Sequence, residues 1–378
     1  MSAALTAGAD TAVRVFGLEG ATTAAVGRLR VGDDGVARLD AAAPADSGDG
    51  REPELCISPG WADLHAHVFD GSTQISVAPD RVGLDQGVHL LADAGSAGEA
   101  TVRGLAEYVI PTARTEVVAW LNIGSHGLVH LREVASARFI DVDRTIEAVR
   151  SMPELIRGIK VRSSGAIVGD MGLQPLQLGR LVARECGIPL LVHVGEAPPL
   201  IDDVLELLDE GDSITHCFHG KSGYPWRPDG RPAPALARAI ERGVRLDVGH
   251  GAASFDINVA RRAIEAGYLP DTISTDIHVR NIDGPVFDLA NVMTKLLFCG
   301  MPLPAVLDAV TTAPRRTLRM ERPWLAGDGT VTHATLFRVS DESPSGRVYT
   351  DSMGNPVSPE QHIVPVATIT AGRVSALA

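Results

Sequence analysis

The sequence is poor in aromatic residues, which fill 4% of its 378 positions, and it holds four cysteines, Cys56, Cys186, Cys217 and Cys299. These lie far apart with no CxxC pair, which excludes a disulfide scaffold or a cysteine-rich zinc module and leaves reduced thiols packed in apolar segments. No apolar run approaches the ~18 residues needed to cross a bilayer. The start, MSAALTAGADTAVRVF, lacks the basic beginning and continuous apolar stretch of a secretory signal, so a cytoplasmic protein is expected. Positive charge is scarce as well: 34 Lys and Arg stand against 47 Asp and Glu, a formal charge of −13. Such a surface repels nucleic acid and anionic membranes and favours a small-molecule partner. Homo-oligomers stay open.

Apolar residues make up 45% of the chain and charged ones 21%, enough for a large buried core. Between Trp61 and about Thr312, short apolar runs alternate with amphipathic stretches, the pattern of a parallel sheet covered by helices. Eight runs read as strands: WADLHAH, VHLLADAG, EVVAWLNIG, LIRGIKVRS, IPLLVHVG, SITHCF, VRLDVGHG and DTISTDIH. Helical segments such as TIEAVRSM, PLQLGRLVAREC, PALARAIERG and INVARRAIEAG separate them. The fold class expected is α/β, a (β/α)8 TIM barrel over 59–324. The valine-rich first 58 residues and the alternating segments GTVTHATLFRV and PVATITAGRV near the end read as antiparallel strands. A small discontinuous β-sandwich domain, 1–58 with 325–378, is therefore expected beside the barrel.

The sharpest local pattern is PGWADLHAH, because strand residues two apart point the same way and put His65 and His67 on one side. His193 in LLVHVGE, His216 in SITHCFHG and Asp276 in TISTDIH each end a further apolar run. Each alone is compatible with a satisfied structural residue. Together they repeat a polar residue at four strand ends, which in a TIM barrel converge on one mouth. Lys160 stands inside the apolar run LIRGIKVRSSG, where desolvation favours the neutral amine. A neutral amine can capture carbon dioxide as a carbamate able to bridge two cations; the alternative is a lysine paired with a buried acid.

HxH on the first barrel strand, lysine on the fourth, histidines on the fifth and sixth and aspartate on the eighth resemble the binuclear amidohydrolase superfamily. DLHAHVFDG, LLADAGSAG, GIKVRSS, HCFHG, DVGHGAASF and ISTDIH resemble its dihydroorotase-like branch, often labelled amidohydrolase/deacetylase. His89 in GVHLLADAGS departs from the small or β-branched residue expected there and is read as a packing variation. The resemblance implies two divalent cations, with His65, His67 and Asp276 on the more buried one and His193 and His216 on the other, bridged by N6-carboxylated Lys160. Zinc suits such ligands first, and manganese, cobalt or iron also fit. It further implies hydrolysis of an amide or ester bond in a small carboxylate-bearing molecule by a metal-bridging hydroxide, with Asp276 as the catalytic general acid and base. A cyclic amidohydrolase, a metal-dependent lyase or isomerase, and a metal-free structural homologue are the alternatives.

Four residues are candidates for substrate contact. Arg162 follows Lys160 by two and points to the same side, as a carboxylate clamp or a structural ion pair. His219 and Lys221 occupy the loop HCFHGKSGYPWRPDG after the sixth strand, and His250 ends the seventh. Asn122 and His126, after the third strand, are weaker candidates. The glycines of DAGSAGEA lack the GxxxxGK[ST] spacing of a phosphate loop and read as a tight βα turn.

Overall fold

The computed structural model describes residues 6–18, 24–41, 53–344 and 347–377. Fourteen strands among these form two seven-stranded sheets. The barrel sheet runs β5 (Trp61–Ala66), β6 (Val88–Gly98), β7 (Glu116–Asn122), β8 (Ile156–Ser163), β9 (Leu190–Val194), β10 (Ser213–Thr215) and β11 (Arg245–Asp247), each neighbouring the next in chain order and parallel to it. All eleven residues of β6 and all six of β5 are buried, as expected where both faces of a parallel sheet are covered.

The eighth run, expected as a strand, forms no ladder. Residues 272–277 meet their neighbours at single parallel bridges, Asp247 with Thr272 on one side and Ala66 with Ile277 on the other. The hydroxyls of Thr272 and Ser274 both donate to Asp247 at 2.7 Å and that of Thr275 to Asp63, and Asp276 itself stands at φ +50°, so regular pairing does not propagate through the run. The barrel is closed all the same: Val248 N–H donates to Thr272 O at 3.1 Å and His67 N–H to Ile277 O at 3.1 Å.

Helices lie where the amphipathic segments place them. They include α1 (Val142–Ser151), α2 (Gln174–Cys186), α3 (Pro234–Glu241), α4 (Ile257–Glu265), α5 (Leu289–Phe298) and α6 (Thr312–Thr317). Asp141, Asp256 and Asp288 cap α1, α4 and α5 through their carboxylates, and proline opens α2 and α3. No helix among the described residues is long and apolar enough to cross a membrane.

The second sheet is built from both chain ends: β14 (Arg373–Ala376), β13 (His362–Thr370), β12 (His333–Ser340), β4 (Leu55–Pro59), β1 (Asp10–Val15), β2 (Ala25–Val31) and β3 (Ala37–Asp40), in that order. Where a sandwich was expected, one sheet curls until its edges touch at a bridge between Val36 and Arg373. Its core gathers Val13, Leu29, Ile57, Leu336 and Ile369. The loop before β13 crosses to the barrel, where Asp351 accepts from the Ile257 N–H at 2.9 Å.

Candidate metal centre

Six polar side chains converge at the C-terminal ends of the barrel strands. His65 and His67 come from the end of β5, Lys160 from β8, His193 from β9, His216 from just past β10 and Asp276 from the closing segment. The ring centroids of His65 and His216 are 5.3 Å apart, and those of His193 and His216 are 4.4 Å apart. One donor atom each of His65, His216 and Asp276 lies within 4.8 Å of the others. Asp276 Oδ1 is 2.9 Å from His67 Nε2 and 3.3 Å from His65 Nε2.

The imidazoles are aimed from behind. Nδ1 of His65 faces the Thr215 hydroxyl at 2.9 Å, Nδ1 of His67 faces Ser96 Oγ at 2.9 Å, and Nδ1 of His216 donates to Gly249 O at 2.6 Å. Each ring thereby turns Nε2 towards the centre, the orientation a metal-bound imidazole takes. Burial pushes His216 down to about 3 and holds His65 and His193 well below the usual histidine value, so all three present neutral nitrogens. Burial alone would raise the Asp276 carboxyl, but the neighbouring imidazoles of His65 and His67 hold it well below the usual range.

Lys160 is 1% exposed and, among the described residues, forms no ion pair. Its Nζ lies 3.2 Å from His65 Nε2. Burial lowers this amine to about 7, so a large fraction is neutral near physiological pH. Gly95, at φ +82°, leaves room for the lysine stem, since a Cβ there would fall 2.7 Å from Lys160 Cγ. The donor set of neutral imidazoles, an ionised carboxylate and an uncharged amine fits a pair of divalent cations.

A cavity of about 170 Å³ opens beside these residues and is also lined by Leu128, Leu131, Arg162, His278 and Arg280. Arg162 reaches it, but its fork is taken: Nε and Nη2 donate to both oxygens of the buried Glu133 at 2.8 and 2.6 Å. Lys221 pairs with Glu196 at 2.9 Å, and neither it nor His219 lines the cavity. His219 is buried, with Nδ1 accepting from the Lys221 N–H at 3.3 Å. His250 is buried behind Asp276, held by Lys295 Nζ at 3.0 Å from Nε2 and by Gly251 O at 2.9 Å from Nδ1. Asn122 donates to Gly95 O at 2.9 Å and so shapes the turn beside Lys160. Glu133, Ser96, Arg280 and Lys295 escaped sequence reasoning because none follows a strand-end pattern, and Thr215 and His278, which do end apolar runs, were masked by the ligand candidates His216 and Asp276 beside them.

No family model matches the chain. It is 42% identical over 342 residues to a curated deacetylase of Agrobacterium fabrum, covering 89% of this chain and 83% of that protein. A Brucella anthropi deacetylase is 41% identical over 344 residues, covering 89% and 84%. The chain belongs to the amidohydrolase superfamily, in its deacetylase branch. Among solved structures, one described as a dihydroorotase matches with a TM-score of 0.84 at 38% identity, covering 98% of each chain. Another, described as an adenine deaminase, matches with a TM-score of 0.84 at 30% identity, covering 97% of this chain and 99% of that one. This amidohydrolase is accordingly a hydrolase acting on carbon–nitrogen bonds.

Proposed function

We propose that this amidohydrolase removes an acyl group from nitrogen, or from the oxygen of a corresponding ester, in a small carboxylate-bearing molecule at a binuclear centre of His65, His67, Lys160, His193, His216 and Asp276. The observation that carries the reading is the convergence of His65, His216 and Asp276 within 4.8 Å of one another, with His67 Nε2 2.9 Å from Asp276, His193 Nδ1 2.9 Å from His216, and the buried Lys160 amine, which among the described residues has no acid partner, 3.2 Å from His65 Nε2. Two divalent cations, zinc in the first instance, would polarise the acyl carbonyl and lower the pKa of water. Asp276, kept ionised at the cavity floor, accepts the proton of the attacking water and releases it to the departing nitrogen or oxygen. The neutral Lys160 amine would add carbon dioxide, its lone pair forming the N–C bond as one C–O π bond opens to an oxyanion and one N–H proton leaves to water, and the carbamate would offer the metals a second anionic ligand.

Hydrolysis of a cyclic amide is the second reading, favoured by the 38% identity to the solved relative described as a dihydroorotase. A screen of N-acetyl amino acids, O-acetylated hydroxy acids and cyclic ureides separates the two. Chelation is expected to abolish turnover and an added divalent metal to restore it. Lys160→Ala is expected to lose metal and activity together and to regain part of both with millimolar formate or propionate, whose two oxygens replace those of the carbamate. Lys160→Arg, which fills the gap with positive charge, is not rescued. Two bound metals and full turnover in Lys160→Ala without added carboxylate would overturn the bridging role.

A further inference from the structure

A second cavity, of about 840 Å³, lies where the barrel meets the curled sheet. Its walls include Leu18, Pro59, Arg315, Pro323, Trp324 and His333. Pro59 precedes β5, whose far end carries His65, so a strand length of ~20 Å separates this cavity from the metal centre. The two cannot share a ligand.

The buried groups here are basic and incompletely satisfied. Arg315 is 4% exposed and has no ion pair among the described residues; Nη1 donates to Thr311 O at 2.8 Å, while Nη2 has no partner. His333 is 6% exposed, with Nδ1 against the Thr332 hydroxyl at 3.0 Å and, among the described residues, Nε2 without a partner. Arg322 also lines the space, paired with Glu116, and Arg316 adds a fourth basic group. The acids of the lining, Asp308 and Glu321, are both exposed to solvent. Native proteins pair their buried charges and bond their buried polar nitrogens, so two such defects in one wall call for a missing counter-group.

His89, out of pattern in the sequence, belongs to the same cluster. Its ring lies 6.4 Å from that of His333 and its Nε2 donates to Ala334 O at 2.9 Å. A Cβ at Gly60 would fall 2.6 Å from the His89 ring, so glycine at this junction is what admits the imidazole. Burial, with Arg315 and Arg322 nearby, lowers His333 to about 3, and burial, then Arg322, lowers Arg315 to about 10. An anion among these groups would relieve both effects.

We propose that this cavity binds a small organic anion, a carboxylate or phosphate carried on an apolar body, with Arg315 and His333 as its polar anchors and Trp324, Leu18 and Pro323 around the apolar part. Trp324 donates its own Nε1–H to Gly17 O at 3.1 Å, so it contributes ring surface and not a hydrogen bond. The tautomer required of His333 carries its proton on Nε2, with Nδ1 accepting the one Thr332 hydroxyl proton, which must turn to it at 3.0 Å and away from Pro323 O at 3.2 Å. Occupation would tie the barrel to the curled sheet and thereby stabilise the whole chain.

The test is calorimetric titration and thermal melting of the metal-loaded full chain with phenylacetate and with phenyl phosphate, against benzyl alcohol and sodium chloride at matched ionic strength. Saturable binding and a higher melting temperature are expected with at least one anion and with neither control, and the tighter of the two identifies the head group. Arg315→Gln should weaken binding by on the order of tenfold or more. His333→Phe provides the same readout if Arg315→Gln does not fold. His193→Ala should leave binding intact, which separates this site from the metal centre and from any failure of the hydrolytic reading. No saturable binding of either anion, or equal binding by wild type and both cavity variants, would overturn the proposal.

Discussion

Arg162 shows how a side chain can be placed by sequence while its task stays open between a carboxylate clamp and a structural ion pair. Its position two residues after Lys160 put it at the cavity, and the structure agrees, yet both arms of its fork are spent on a Glu133 side chain that is 0% exposed. Glu133 sits in a loop of irregular turns, so nothing in its spacing announced the pair. Arg162→Lys keeps the charge but loses the bidentate geometry, leaving a buried carboxylate short of a donor at a cost of ~1–3 kcal/mol. We expect a lower melting temperature and equal changes in KM for a carboxylate substrate and its neutral amide. A KM increase confined to the carboxylate would restore the clamp. The proposed metal ligands were legible for the opposite reason: a polar residue closing a buried apolar run is costly unless it has work to do, and His65, His67, His193, His216 and Asp276 report that cost in one dimension, with Lys160 doing so from inside its run.

Among elements, the closing segment is where pattern and structure part. TISTDIH reads as a strand, and its position in the barrel is that of a strand, but side-chain bonds supplement scattered backbone ones where a regular ladder would run. Asp63 on β5 accepts from the Thr275 hydroxyl at 2.5 Å and from the Thr275 N–H at 3.1 Å, and Thr275 Oγ1 in turn accepts from the Ile277 N–H at 3.0 Å. Asp276, between them, is held in position by these bonds and by its own N–H donating to His65 O at 2.7 Å. Thr275→Val preserves shape and removes the hydroxyl, so unfolding by urea should show a loss of ~1–3 kcal/mol. Metal affinity should fall with it, because Asp276 is no longer held at both neighbours. A variant with unchanged metal affinity would show that the seam does not position Asp276. Hydrophobic periodicity could not reveal this, since it records burial and not the partner of each backbone group.

At the scale of the whole molecule, the two-ended β sheet was visible in the valine-rich alternation at both termini, whereas the junction with the barrel was not. His89, read as a packing variation, is a buried imidazole lowered to about 4 by burial, with an ordinary value of 6.5. Unfolding lets it protonate near 6.5, so the unfolded chain binds more protons below that pH and stability falls as pH drops towards 4. Between pH 7 and pH 5 this one residue accounts for about 2 kcal/mol. In His89→Leu the difference in unfolding free energy between those pH values should shrink by about that amount. An unchanged difference would mean that the ring is already charged in the folded protein.

The strand β4 has a further consequence for the order of events during synthesis. It pairs with β1 on one edge and with β12 on the other, and it runs directly into β5 of the barrel. A ribosome delivers β1, β4 and every barrel strand before β12 emerges, so the nascent chain carries a buried-type strand, LCISP, with one edge unsatisfied for most of its translation. The last fifty residues therefore act on this protein as an intramolecular cover: until they arrive, an otherwise complete barrel remains tethered to an adhesive edge.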